Sequence, residues 1–252
     1  MLFKTIEKKL NTRRIKIAGI PMDVAVRSLH MKKLFRDFKT AEKPLVSISL
    51  SAEDLNHEIA FYQAEMASLG KPCEKISTVD FEPTALLRKV AAELLPYGFL
   101  LFHGTVLALN GKAYMFSAQS GTGKTTHAKL WLKLFPECHI LTGDKPFLLA
   151  RDGQVYVYGS PWRGKEGYGV NECLPLEAIC FLSRSETNHI EEVPLKDCFD
   201  LLLPPCYFPE GASNKSRALK LLMNLPDVRF YRLGCNMEDE AAQISYQGMV
   251  KE

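Results

Sequence analysis

The run Ser120-Gly121-Thr122-Gly123-Lys124-Thr125-Thr126 combines the residue types that hold a polyphosphate. Its glycines let backbone amides converge on phosphate oxygens, Lys124 reaches the outer phosphates, and Thr125 supplies the hydroxyl that a magnesium ion needs. Measured against the pattern G-x-x-x-x-G-K-[ST], the first glycine is replaced by Ala118, a slot that admits alanine as long as its φ stays negative. A ligandless glycine-rich turn would share the flexibility, but it has no use for a lysine followed by two hydroxyls.

Three further stretches carry residues of the matching chemistry. An apolar run from His139 reaches Gly143-Asp144, and an acid at that place after the loop's helix suits a metal held between phosphates, hydroxyl and carboxylate. The same Gly143-Asp144 pair also reads as a plain turn. Between Gly159 and Gly169, small and rigid residues alternate with Arg163, Lys165 and Trp162. Arg163 and Lys165 are therefore candidates to stabilise a transferring phosphoryl group, though a loop of solvated charges has the same composition. His103 is expected on a strand beside the phosphate loop, where a lone histidine also serves as a satisfied core residue.

These residues need a scaffold, and the flanking pattern predicts one. Ala113 to Phe116 has strand character, and Thr125 to Phe135 carries apolar residues at helical spacing up to Pro136, so the loop would open at a helix N-terminus. Asn110-Gly111 predicts a tight hairpin between that strand and the apolar stretch Gly98 to Leu109, and Arg151 to Gln154 predicts another turn.

Upstream, strands are expected at Ile15–Ala18, Met22–Val26 and Leu45–Leu50, with a helical stripe through Leu29, Lys33, Leu34 and Phe38. A helix capped by Ser51 and a second helix over Thr84–Leu95 follow, on either side of a connector from Gly70 to Pro83. Downstream, Ala178–Leu182 reads as a central strand and Val228–Leu233 as an edge strand. Helices are expected near Leu195–Leu203, Ser213–Leu225 and Glu238–Met249.

Bulk properties narrow the partners. The 252 residues carry 32 Lys+Arg against 29 Asp+Glu, and a net charge of +3 gives no reason to expect nucleic acid or an anionic membrane. The 7 cysteines are scattered without a C-x-x-C pair, which suggests buried free thiols in a reducing cytoplasm. The basic start of the chain lacks the apolar core of a signal peptide, and no stretch is long enough to span a bilayer.

His103-Gly104, then a strand, a tight turn, another strand and an SG-x-GK-[ST] loop resemble the bifunctional HPr kinase/phosphorylase family over about Gly98 to Arg184. The string SGTGKTT is also similar to the loop of ATP-dependent phosphoenolpyruvate carboxykinase. The resemblance implies an α/β fold with a phosphate-loop core at 97–252, behind a smaller α/β region at 1–96. It further implies ATP and Mg2+ as ligands, with Ser120 to Thr126 on the phosphates and Thr125 and Asp144 on the metal. Asp144, aided by His103, would take the acceptor's proton, while Lys124 with Arg163 or Lys165 would neutralise charge. HPr kinases carry adjacent aspartates where this chain has Gly143 and Asp144, so one acid here must cover both roles.

The expected activity is transfer of a γ-phosphoryl group to a serine or threonine hydroxyl of a small protein or peptide. A small-molecule kinase and a nucleotide-binding regulator without transfer activity stand as alternatives, and a homo-oligomer is compatible with either.

Overall fold

A computed structural model describes residues 11–28, 30–73 and 77–250. The basic start of the chain up to residue 10, Leu29 of the expected helical stripe and 74–76 of the expected connector lie outside the described residues. The chain divides into two compact units, Met1–Glu93 and Leu94–Glu252. No helix among the described residues is long and apolar enough to cross a membrane.

The first unit is a small α/β layer. Strands β1 (Asn11–Ile17) and β2 (Ile20–Val26) form an antiparallel hairpin turned by Ala18 and Gly19, both at positive φ. After α1 (His30–Leu34), β3 (Val46–Ser49) joins β2 in parallel. Ser51 caps α2 (Ala52–Ser68) through a reciprocal pair: its hydroxyl accepts the Asp54 amide, and the Asp54 carboxylate accepts the Ser51 amide. On α3 (Glu82–Leu94), Lys89 reaches the same Asp54 at 2.7 Å, tying the two helices together.

The second unit is built on a sheet of nine strands among the described residues. Chain order gives β4 (Phe99–Leu101), β5 (Thr105–Leu109), β6 (Lys112–Ser117), α4 (Lys124–Leu134), β7 (His139–Thr142), β8 (Phe147–Arg151) and β9 (Gln154–Tyr158). The long β10 (Cys173–Arg184), β11 (His189–Val193), α5 (Phe199–Leu202), α6 (Ala212–Leu222), β12 (Arg229–Cys235) and α7 (Asp239–Met249) complete it. The order is β4-β8-β9-β10-β6-β5-β7, with β12 beside β10 and β11 outside β12. Strands β6, β10 and β12 run parallel, so their carboxyl ends share one edge.

Side-chain alternation sends each of these strands into two cores. Tyr114, Phe116, Cys180 and Leu182 face the core that holds Trp131 of α4 and Met249 of α7. Their neighbours Met115, Ile179 and Phe181 face the opposite core, with Leu202 of α5 and Leu222 of α6.

Several expectations need correction. The stretch Gly98 to Leu109 is two strands with different partners, since β4 pairs with β8 whereas β5 pairs with β6 and β7. His103-Gly104 therefore occupies the break between them. A Cβ on Gly104 would stand 3.0 Å from the Met115 side chain and 3.1 Å from the Phe116 carbonyl, so a larger residue would need β6 to give way by a few tenths of an ångström. The expected edge strand near Val228 is interior, because β11 covers its outer side. Cys73 and Cys173 are exposed, while Cys138, Cys180, Cys198 and Cys206 are the buried thiols.

Beneath α4, His127 and Trp131 both meet Ser245 of α7, at 3.0 and 2.8 Å. Burial pushes the His127 imidazole down to about 4 from its ordinary 6.5. The folded chain thus keeps the ring neutral where the unfolded chain would protonate it, and the stabilising effect is complete only above 6.5. As pH falls from 6.5 towards 4, that single group should lower stability by about 1.4 kcal/mol per pH unit. Denaturant titrations through this window are expected to show the slope in the wild type and a shallower one in His127→Gln. An unchanged slope would contradict it.

Candidate functional site

Residues 118–123 leave the carboxyl end of β6 and turn directly into α4. Gly121 and Gly123 take φ of 81° and 130°, conformations an L side chain resists. Ala118 is not among the positive-φ positions, so alanine fits the slot where the generic pattern has glycine. The first helical bond runs from the His127 amide to the Gly123 carbonyl. The amides from Lys124 to Thr126 therefore lie ahead of the ladder, at the positive end of the helix. Lys124 folds over the loop and donates to the carbonyls of Ala118 at 2.8 Å and Gln119 at 3.4 Å.

Asp144 sits in the turn between β7 and β8, in the same cleft. His103 Nε2 and Lys145 Nζ both approach its Oδ1, at 3.0 and 3.2 Å. Burial pushes this carboxyl up, but the hydrogen bond from His103 and the charge of Lys145 outweigh it and hold the group below its ordinary value. Asp144 is thus kept ionised, with Oδ2 carrying neither contact.

Backbone bonds stitch the three loops into one wall. The Gly104 amide donates to the Asp144 carbonyl at 2.9 Å, and Thr105 Oγ1 donates to the Gly143 carbonyl at 3.1 Å. The His103 amide donates to the Pro205 carbonyl, while the His103 carbonyl accepts from Ser117 Oγ at 2.9 Å. On the far side the Gly143 amide donates to the Tyr168 carbonyl, and the Val170 amide to that of Leu141. These two bonds pin the carboxyl-terminal end of the loop carrying Arg163 and Lys165.

The close docking of that loop explains Gly143. A Cβ there would stand 2.7 Å from the Arg163 carbonyl oxygen, closer than side chains approach. Position 143 therefore has no room for a second acid while the loop keeps this seat. Gly164, at φ 72°, brings the loop to within contact of Asp144 itself.

The outcome is one cleft of about 500 Å³, and Ser120, Gly121, Gly123, Lys124, Thr125 and Thr126 line it along the helix mouth. His103, Asp144, Arg163 and Lys165 line it too. Thr122 alone among the expected phosphate-loop residues lies outside it, against a neighbouring pocket. Across the opening, Glu166 pairs with Lys129 of α4 at 3.5 Å.

Sequence reasoning passed over Lys145, Thr105 and Arg184. Arg184 ends β10 and grips the loop of residues 118–123 from outside, with Nη2 2.7 Å from the Gly121 carbonyl and Nε 3.5 Å from that of Thr122. Only the parallel pairing of β10 with β6 brings it there, and no local pattern announces that pairing.

No family model matches the sequence, and no curated protein matches it. Among solved structures, the chain is similar to the Hpr(Ser) kinase/phosphatase from Coxiella burnetii, at 7% identity and a TM-score of 0.33. The match spans 59% of this chain and 95% of that one.

Proposed function

We propose that this chain is a magnesium- and ATP-dependent phosphotransferase acting on a serine or threonine hydroxyl of a small protein or peptide. One observation carries the reading: Lys124, Thr125 and Asp144 line the same cleft at the open end of α4. An anion cradle and a hard-oxygen pair share that cleft, and a hydroxyl with an ionised carboxylate is the donor set that suits magnesium. When bound, the ion would neutralise charge on the outer phosphates.

The chain's own residues supply the rest. Amides of Gly121 to Thr126 orient the phosphates, and Lys124 turns from the loop carbonyls to the outer phosphate. Thr125 Oγ1 and Asp144 Oδ2 are the oxygens for the ion. Because Asp144 is held ionised, it is a good cation ligand and a weak proton acceptor, which suits a loose transition state in which the proton leaves late. His103 Nε2, 3.0 Å from Oδ1, donates to that oxygen and holds the carboxylate in its orientation. Arg163 and Lys165 stand on the rim to meet the transferring group, and the rim itself, Gly164 to Tyr168, is exposed enough to admit a polypeptide side chain.

Incubation with γ-labelled ATP and cell lysate tests the acceptor class. Label in a polypeptide, as alkali-labile phosphoserine or phosphothreonine, is the expected result. Label confined to small metabolites would replace the protein acceptor with a small one, and saturable ATP binding without any transfer would leave a nucleotide-binding regulator.

A further inference from the structure

A second pocket, of about 440 Å³, shares Gly121, Gly123 and Thr126 with the catalytic cleft and continues beyond them. Its far wall follows from topology. The phosphate loop after β6, Ser185 after β10, and Asn236-Met237 after β12 all lie at the carboxyl ends of parallel strands, the edge where open α/β sheets take their ligands.

Two groups in this pocket are incompletely satisfied by the chain. Met237 leaves 77% of its surface in solvent, beside the apolar Leu182. His127 is 2% exposed, yet among the described residues its Nδ1 has no hydrogen-bond partner, Ser245 having taken Nε2. Ser245 Oγ gives its own proton to the Ala242 carbonyl, so Nε2 donates to it and Nδ1 keeps the lone pair. A buried lone pair without a donor is costly, and an exposed thioether gains by being covered. A nucleobase offers both remedies, a flat apolar face and an N–H edge.

The polyphosphate on the helix mouth has two ends. One meets Asp144 and His103 in the first cleft, and Gly121, Gly123 and Thr126, shared by both pockets, open a way for the other into this one. We propose that the pocket receives the nucleoside of the phosphate donor, an inference that rests on the phosphotransferase reading above.

Calorimetric titrations of magnesium with ATP and, separately, with inorganic tripolyphosphate test it, using the wild type and Met237→Ser. The exposed side chain makes this variant safe for folding. ATP is expected to bind the wild type about tenfold or more tightly than tripolyphosphate, and Met237→Ser should weaken ATP by roughly fivefold while leaving tripolyphosphate unchanged. Equal affinity of the two ligands for the wild type, or an ATP affinity indifferent to Met237→Ser, would overturn the inference and leave the phosphate site standing. Failure of both ligands to bind the wild type would remove the phosphate site, and this pocket's role with it.

Discussion

Lys124→Ala is expected to lower phosphoryl transfer by about two to three orders of magnitude, with the fold intact. The side chain emerges from the first helical turn, and its contacts are to the carbonyls of its own loop, so little tertiary packing goes with it. Burial pushes its ammonium down, while the carboxylate of Asp144 opposes that effect. A partly desolvated cation exerts more pull on developing charge than a solvated one. The loss should therefore appear mainly in kcat, with a smaller rise in KM for ATP, because charge on the transferring group grows between ground and transition states. Steady-state rates beside a thermal melt decide it. A rate unchanged in a folded variant would strip Lys124 of its role.

Asp144→Asn should have an effect of similar size but a different signature. The substitution keeps shape and hydrogen-bonding capacity while removing the charge from the cleft that Thr125 also lines. Turnover is expected to fall by about two orders of magnitude, and the magnesium concentration for half-maximal rate to rise by roughly tenfold or more, since hard cations depend on carboxylate charge. Lys145 loses its ionic partner and His103 its carboxylate acceptor at the same time, so a modest fall in stability accompanies the loss. The sign of the pH effect follows from the lowered carboxyl. Its charge is complete above its ordinary value of 3.8 and is lost only as pH falls through the still lower folded value, so Asp144 should impose no inflection on the rate near neutrality. An unaltered magnesium requirement in Asp144→Asn would remove it as a ligand.

The parts of the site that could be read in the sequence are those whose geometry is local. A turn that leaves consecutive backbone amides free at a helix mouth is local, so Ser120 to Thr126 signal it in one string. Asn110 and Gly111 likewise set their own turn, at φ of 52° and 74°. The Ser51 cap closes within one helical turn.

What stayed hidden depends on strand partners far apart in the chain. His103 read as a strand residue because Phe99 to Phe102 before it and Val106 to Leu109 after it are apolar, and only the pairing of β4 with β8 shows why the strand breaks before Thr105. The interior place of β12 requires β11 on its far side, and Arg184 reaches the loop of residues 118–123 only through the alignment of β10 with β6. Gly143 looked like a lost acid in the sequence. In three dimensions it is the seat of the Arg163 carbonyl, a contact made by a loop some twenty residues on.

The central claim is that a triphosphate and its ion lie between the helix opening at Lys124 and the carboxylate of Asp144. A crystal structure with magnesium and a non-hydrolysable ATP analogue tests this most directly. The account predicts phosphates on the amides of Gly121 to Thr126, with the ion about 2.1 Å from Thr125 Oγ1 and bound to Asp144 directly or through one water. A nucleotide bound elsewhere, or an ion that leaves both oxygens untouched, would contradict it.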